Sequence, residues 1–304
     1  MNIPFSKYSK IYYLLSLVMI FTALSLLFKF GLNFGIDFTG GTIIELDFEK
    51  RPENTVIEDK LSALNLGEIV VQPSNERGAI LRLKDIDEET HQQIISKLGE
   101  ISKVEEKRFE SVGPTIGKEL RQKSLILILV SLFFMLVFIT IAFWGVSRPI
   151  SSFQYGLISV LTLFFDILIP LGLMAYLGKF RNAQLNIPVV AALLTVLGYT
   201  MNDKIVVFDR IRENLLRSQE KTFEELVNRS LNEILSRSLS TGSCTIFVLL
   251  AIYLFGGATL KYFALVLVVG ILAGTYSSIF LASQLLVTWQ KWRARKGEGR
   301  AGRG

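Results

Sequence analysis

One cysteine and one histidine are all that 304 residues hold of those two types, and that scarcity closes off several kinds of chemistry. A lone thiol, Cys244, forms no internal disulfide and no cysteine metal cluster. It falls inside an apolar stretch, where a small helix-packing role is expected. His91 stands among Asp87, Glu88, Glu89 and Gln92, where a solvated helix surface is expected. No apolar stretch contains a histidine, so none can assemble a nucleophile–histidine–acid set. A phosphate loop is missing too. The nearest approach, GPTIGKE (113–119), has three residues between its glycines where the loop needs four, and Glu119 where Ser or Thr should follow the lysine. No small-x-small cleavage site follows the first apolar run, which therefore reads as an uncleaved anchor. These absences leave a protein that is no enzyme and holds no cofactor or metal. Any work it does must draw on an ion gradient or on a partner.

Apolar residues, by contrast, make up 50% of the chain. A helix needs about 20 consecutive, mostly apolar residues to cross the hydrocarbon layer. Six stretches qualify, at 11–31, 123–146, 154–178, 186–208, 238–257 and 261–289. The net charge of +6 is a topology signal and no sign of nucleic acid. Basic residues collect at Lys7 and Lys10, at Arg148, along 210–229, and in the tail at Lys291, Arg293, Arg295, Lys296, Arg300 and Arg303. The alternate loops hold fewer, with Lys179, Arg181 and Lys261. By the positive-inside rule both termini are cytoplasmic and residues 32–120 face outward.

Residues 42–112 have soluble composition. TIIELDF (42–48), GEIVVQ (67–72), AILRLK (79–84) and KVEEKRFESV (103–112) alternate as strands. The segments 55–64 and 87–98 read as helices, and Pro73, Ser74 and Asn75 form a turn. The expected fold is a membrane all-α protein of six transmembrane helices with an inserted α+β, ferredoxin-like βαββαβ domain outside the membrane. The expected segments are a tail with the first span (1–34), the extracytoplasmic domain (35–117), spans two to four (118–208), a helix along the cytoplasmic interface (209–235), spans five and six (236–290), and a basic tail (291–304). The third of these boundaries rests on Phe223, Leu226, Val227, Leu231, Ile234 and Leu235, which recur at helical spacing opposite charged residues. Gly270 and Gly274 have the spacing of a close helix–helix contact.

Ionisable residues inside spans are the informative ones, because each costs a few kcal/mol or more at mid-bilayer unless it has a partner. Four stand out: Asp166 in span three, Asp203 and Lys204 in span four, and Arg237 opening span five. Asp203 and Arg237 lie on consecutive antiparallel spans at similar depth, so they are expected to pair, with Asp166 joining the same polar seam. A carboxyl group in a low dielectric holds its proton more tightly than in water. A guanidinium stays charged and offers a partner only while the carboxylate is ionised. Two readings stay open: a relay that makes and breaks with cation occupancy, and a static pair that fixes packing. Lys204 lies about 100° around the helix from Asp203, where it either snorkels to the cytoplasmic surface or competes with Arg237.

Five runs in order, at matching topological positions, carry a family resemblance. They are GIDFTGGT (35–42), VGPTIGKEL (112–120), GYTMNDKIVVFDRIREN (198–214), SLNEILSRSLSTGS (230–243) and GTYSSIFLAS (274–283). In these the chain resembles the SecF family of the resistance-nodulation-division superfamily. The resemblance implies a multi-pass protein of the cell (inner) membrane that uses the proton motive force, with a SecD partner, to promote late steps of preprotein translocation. It implies further partners in SecYEG with SecA and in YajC, contact with the translocating preprotein and the lipid bilayer, and a coupling ion that is H⁺, or Na⁺ as the alternative. It maps a proton pathway onto Asp203, Arg237 and Asp166. It marks Gly35, Asp37, Gly40, Gly41, Gly113, Pro114 and Gly117 as motif residues at two hinges, where the glycines let the backbone turn. Phe165, Lys204 and Ser238 depart from the family pattern, which has His before the span-three acid, a small hydroxyl residue after the span-four acid, and Thr after the arginine. A scaffold without ion conduction and a small-molecule exporter on the same fold are the alternatives.

Overall fold

The computed structural model describes residues 3–64, 66–67, 69–74, 77–144, 150–217 and 222–301. Asn75, Arg148 and Arg303, used above for a turn and for topology, lie outside the described residues. Among the described residues six helices are long and apolar enough to cross a membrane. They are α1 (Ser9–Phe30, after a 3₁₀ turn at Phe5–Tyr8), then α5 (Pro114–Ala142), α6 (Ser152–Arg181), α7 (Ile187–Arg217) and α8 (Phe223–Phe255). The sixth begins as α9 (Ala258–Tyr276), passes through a π-helical segment at Ser277–Ala282 and continues as α10 (Ser283–Ala301). Between α1 and α5 lie the short α2 (Ile36–Thr39), α3 (Asn54–Ser62) and α4 (Glu88–Gly99), with strands β1 (Gly41–Phe48), β2 (Val70–Pro73), β3 (Gly78–Leu83) and β4 (Val104–Val112).

The chain divides into two compact units. One comprises 1–33, 127–183 and 188–304; the other comprises 34–126 and 184–187. In the second, the sheet order is β2-β3-β1-β4 with every neighbouring pair antiparallel, as a βαββαβ unit requires. Alternation places Ile44, Leu46 and Phe48 of β1 on one face, buried with Ile57 and Leu61 of α3, Leu81 of β3, and Ile94 and Leu98 of α4. The sheet therefore has its own core.

His91 is a correction to the sequence reading. It is buried, its Nε2 lies 2.7 Å from Glu106 Oε2 on β4, and its ring stacks on Phe109 at 4.0 Å. Residues 91, 94 and 98 follow helical spacing along the buried face of α4; the acidic neighbours masked that periodicity. The Gln92 amide and His91 hold the Glu88 carboxyl below the usual carboxylate range.

In the membrane unit the burial is uneven. In their most apolar stretches α6, α7 and the α9–α10 helix are 56, 50 and 67% buried, against 11, 11 and 17% for α1, α5 and α8. The first three form the interior, and the exposed Phe21, Phe28, Phe247 and Phe255 lie on the outer helices. Gly270 and Gly274 pack α9 on α7: a Cβ added at either would come within 2.3 Å of Val196 or 1.9 Å of Thr200. Cys244 is exposed, so it packs no helix pair. Residues 209–235 also differ from expectation. Residues up to Arg217 extend α7, and α8 runs unbroken from Phe223. The apolar stripe Leu226, Val227, Leu231 and Ile234 is buried inside the bundle, and Asn214 donates to Ser230 Oγ across the two helices at 2.9 Å.

Candidate functional site

Charge inside an apolar bundle persists only with a partner, and the interior helices α6 and α7 supply three ionisable groups near one another. Asp166 of α6 and Lys204 of α7 form an ion pair in which both side chains are fully buried. Lys204 thus turns inward. The snorkelling alternative does not hold, because the Asp166 carboxylate offers the ammonium a charged acceptor inside the bundle. Asp166 uses Oδ2 for this pair, and its Oδ1 makes no hydrogen bond among the described residues.

Asp203, one residue earlier on α7, faces a different helix. Ser278 Oγ donates to Asp203 Oδ2 at 2.5 Å. The same hydroxyl has a second acceptor, the Thr275 carbonyl, at 3.1 Å. Ser278 belongs to the π-helical segment Ser277–Ala282. Such segments carry i→i+5 hydrogen bonds, are rare, and concentrate at functional positions. The close approach at Gly270 and Gly274 brings this stretch against α7. Lys204 and Asp166 lie within electrostatic range of Asp203, and so does Ser238 of α8. The buried Ser238 hydroxyl makes no hydrogen bond among the described residues.

The structure does not pair Asp203 with Arg237. Arg237 is exposed, and its guanidinium has no partner among the described residues. Equal depth is only half the condition for contact. Successive residues on a helix point about 100° apart, and on α8 it is Ser238, the next residue, that turns inward.

The motif residues form a second cluster, wholly within the unit that holds the sheet. Gly35 N–H donates to the Leu185 carbonyl at 2.7 Å, and Asp37 Oδ2 accepts from Ile187 N–H at 2.8 Å. Gly40 and Gly41 have φ of +76° and +131°, values that favour glycine. A Cβ on Gly40 would lie 2.7 Å from Pro114 Cα, and one on Gly117 would lie 2.8 Å from the Gly40 nitrogen. The runs 35–41 and 113–117 are therefore in mutual contact. Gly113 is less constrained, since a Cβ there would meet only Asp85, at 3.8 Å.

Sequence reasoning missed Ser278, Thr200 and Gln284. It weighed only ionisable groups, and these are neutral. Thr200 Oγ1 and both amide atoms of Gln284 are buried without a hydrogen bond among the described residues. A screen for buried neutral polar residues in spans would have found them.

The chain is similar to known proteins in sequence and in fold. The family profile of the protein export membrane protein SecD/SecF, C-terminal, matches residues 92–292, and that of the SecD/SecF GG motif matches residues 25–50. The chain is 42% identical over 294 residues to a protein translocase subunit SecF of Thermobaculum terrenum, covering 92% of this chain and 91% of that one. It is 38% identical over 292 residues to that of Vibrio alginolyticus, covering 93% and 89%. Its fold is similar to the crystal structure of SecDF, a translocon-associated membrane protein from Thermus thermophilus, with TM-score 0.83 and 33% identity. That match covers 96% of this chain and 39% of the SecDF chain.

Proposed function

Because the chain belongs to the SecF family of protein translocase subunits, we propose that it is the ion-gradient-coupled partner of a SecD subunit, promoting late steps of preprotein translocation across the cell (inner) membrane. One observation carries this reading: Asp203 lies in the bundle on a serine of a π-helical segment, beside a fully buried Asp166–Lys204 pair. When Asp203 is ionised, Ser278 donates to it. When a cation occupies the carboxylate, Ser278 turns to its second acceptor, the Thr275 carbonyl. The π-helical segment then has two hydrogen-bonding states that differ by cation occupancy. Arg237 enters when α8 turns by one residue step and replaces Ser238 opposite Asp203. One charge crossing 100 mV supplies about 2.3 kcal/mol, enough to bias such a two-state movement. H⁺ and Na⁺ both suit a carboxylate; H⁺ is the ion proposed.

A SecD partner is supported by the solved SecDF chain, of which this chain covers 39%. It is supported also by the exposed polar residues Asn202, Ser236, Arg237 and Ser240 on α7 and α8, which lipid alone would leave unsatisfied. SecYEG with SecA and YajC complete the proposed partners. Lys7, Lys10 and the basic tail favour cytoplasmic termini.

In vesicles holding the chain with SecD and the export channel, Asp203→Asn and Arg237→Met are each expected to abolish gradient-stimulated export while leaving assembly intact. Wild-type export by both variants would defeat the relay. A second reading, a scaffold without conduction, is favoured by one feature: the Asp166–Lys204 pair is closed to solvent on both sides. Under it, neither variant changes ion flux.

A further inference from the structure

We propose that Asp37 is a positioning residue that ties the βαββαβ domain to the start of α7, and that this tie carries movement between the helix of Asp203 and the sheet. The inference rests on the functional reading above and deepens it. The first N–H groups of a helix have no acceptor within the helix, and a carboxylate there also meets the positive end of the helix dipole. Asp37 Oδ2 takes the N–H of Ile187, the first residue of α7, across 150 residues of sequence. Pro188 follows and has no N–H to offer, so the contact falls on the one donor ahead of it.

Two further ties hold the same segment. Gly35 N–H donates to Leu185 O at 2.7 Å, and Phe34 and Leu185 form a parallel bridge. A Cβ on Gly35 would stand 3.2 Å from Leu185 O and 3.4 Å from Asn186 Cβ, so the two backbones are at closest approach. Ile36 and Phe38, on either side of Asp37, are buried and keep the carboxylate from swinging away. From Gly41 the chain runs directly into β1, an interior strand paired on both edges. A displacement at Ile187 therefore reaches the middle of the sheet through a few bonded residues, with no loop between.

The test uses the chain with its SecD partner and the export channel in vesicles, comparing wild type, Asp37→Ala and Asp37→Asn. Asparagine retains an acceptor and is a good helix-capping residue. Asp37→Ala is expected to keep cation flux within about twofold of wild type yet lower gradient-stimulated export about tenfold, the weight of one charge-assisted hydrogen bond. Asp37→Asn is expected to recover most of that export. Amide exchange in peptides covering 184–190 should quicken in the alanine variant and not in the asparagine variant. Export at the wild-type rate by Asp37→Ala overturns the proposal, and so does equal loss of flux and export in both variants. If wild-type export ignores the gradient, the functional reading fails instead. The tie is then judged by exchange alone, and unchanged exchange in Asp37→Ala overturns it.

Discussion

Lys204 and Asp203 are chain neighbours with opposite charge, yet each spends its polar contact elsewhere, on Asp166 and on Ser278. The separation follows from the 100° step between successive helical residues. It means that the cation beside the candidate relay is already engaged. Removing one member of a fully buried pair leaves the other charge unpaired, which costs about 3–5 kcal/mol. Lys204→Met is therefore expected to lower the thermal unfolding midpoint of the detergent-solubilised protein sharply. The double variant Lys204→Met with Asp166→Leu should recover most of it. Equal midpoints for wild type and Lys204→Met would show that the pair contributes little. Asp166 and Asp203 were legible in sequence because a carboxylate in an apolar run stands out. The direction of Lys204 and the outward face of Arg237 were not, because a linear reading gives depth along a helix and leaves its rotation open. Ser278 lay inside a motif run, but a hydroxyl in a span carries no charge, so a search confined to ionisable groups passed over it.

Helices α7 and α9 meet through glycine, and the π-helical segment begins just beyond that contact. Adding a methyl group at Gly274 would force it to 1.9 Å from Thr200 Cγ2, a side chain branched at Cβ with little freedom to withdraw. Gly274→Ala is expected to destabilise the bundle by about 1–3 kcal/mol, the usual cost of overpacking, and to move Ser278 away from Asp203. Gly198, on the same α7 with nothing within 4 Å of a new Cβ, supplies the control: Gly198→Ala should leave the unfolding midpoint near wild type. Equal losses in the two variants would contradict the packing role. Element by element, the strands and both domain helices were legible to within a few residues, since alternation and amphipathic spacing report them directly. The stretch 209–235 was not, because an apolar stripe that packs inside a bundle has the same period as one that lies on a membrane surface. The π-helical segment has no sequence signature at all.

The two units of the molecule differ in make-up. One is an apolar bundle with a small polar seam; the other is a sheet domain with its own core and with motif segments that reach the first residue of α7. The six spans and the βαββαβ order were both readable from composition and periodicity, and the SecF family follows from motifs that the family profiles also match. The central claim is that cation occupancy of Asp203 is linked to transport. Cation flux through vesicles holding the chain with its SecD partner tests it most directly, measured with H⁺ and then Na⁺ as the only gradient. The account predicts flux with H⁺ in the wild type and its loss in Asp203→Asn. Flux in Asp203→Asn equal to the wild type, or none in either, would contradict it.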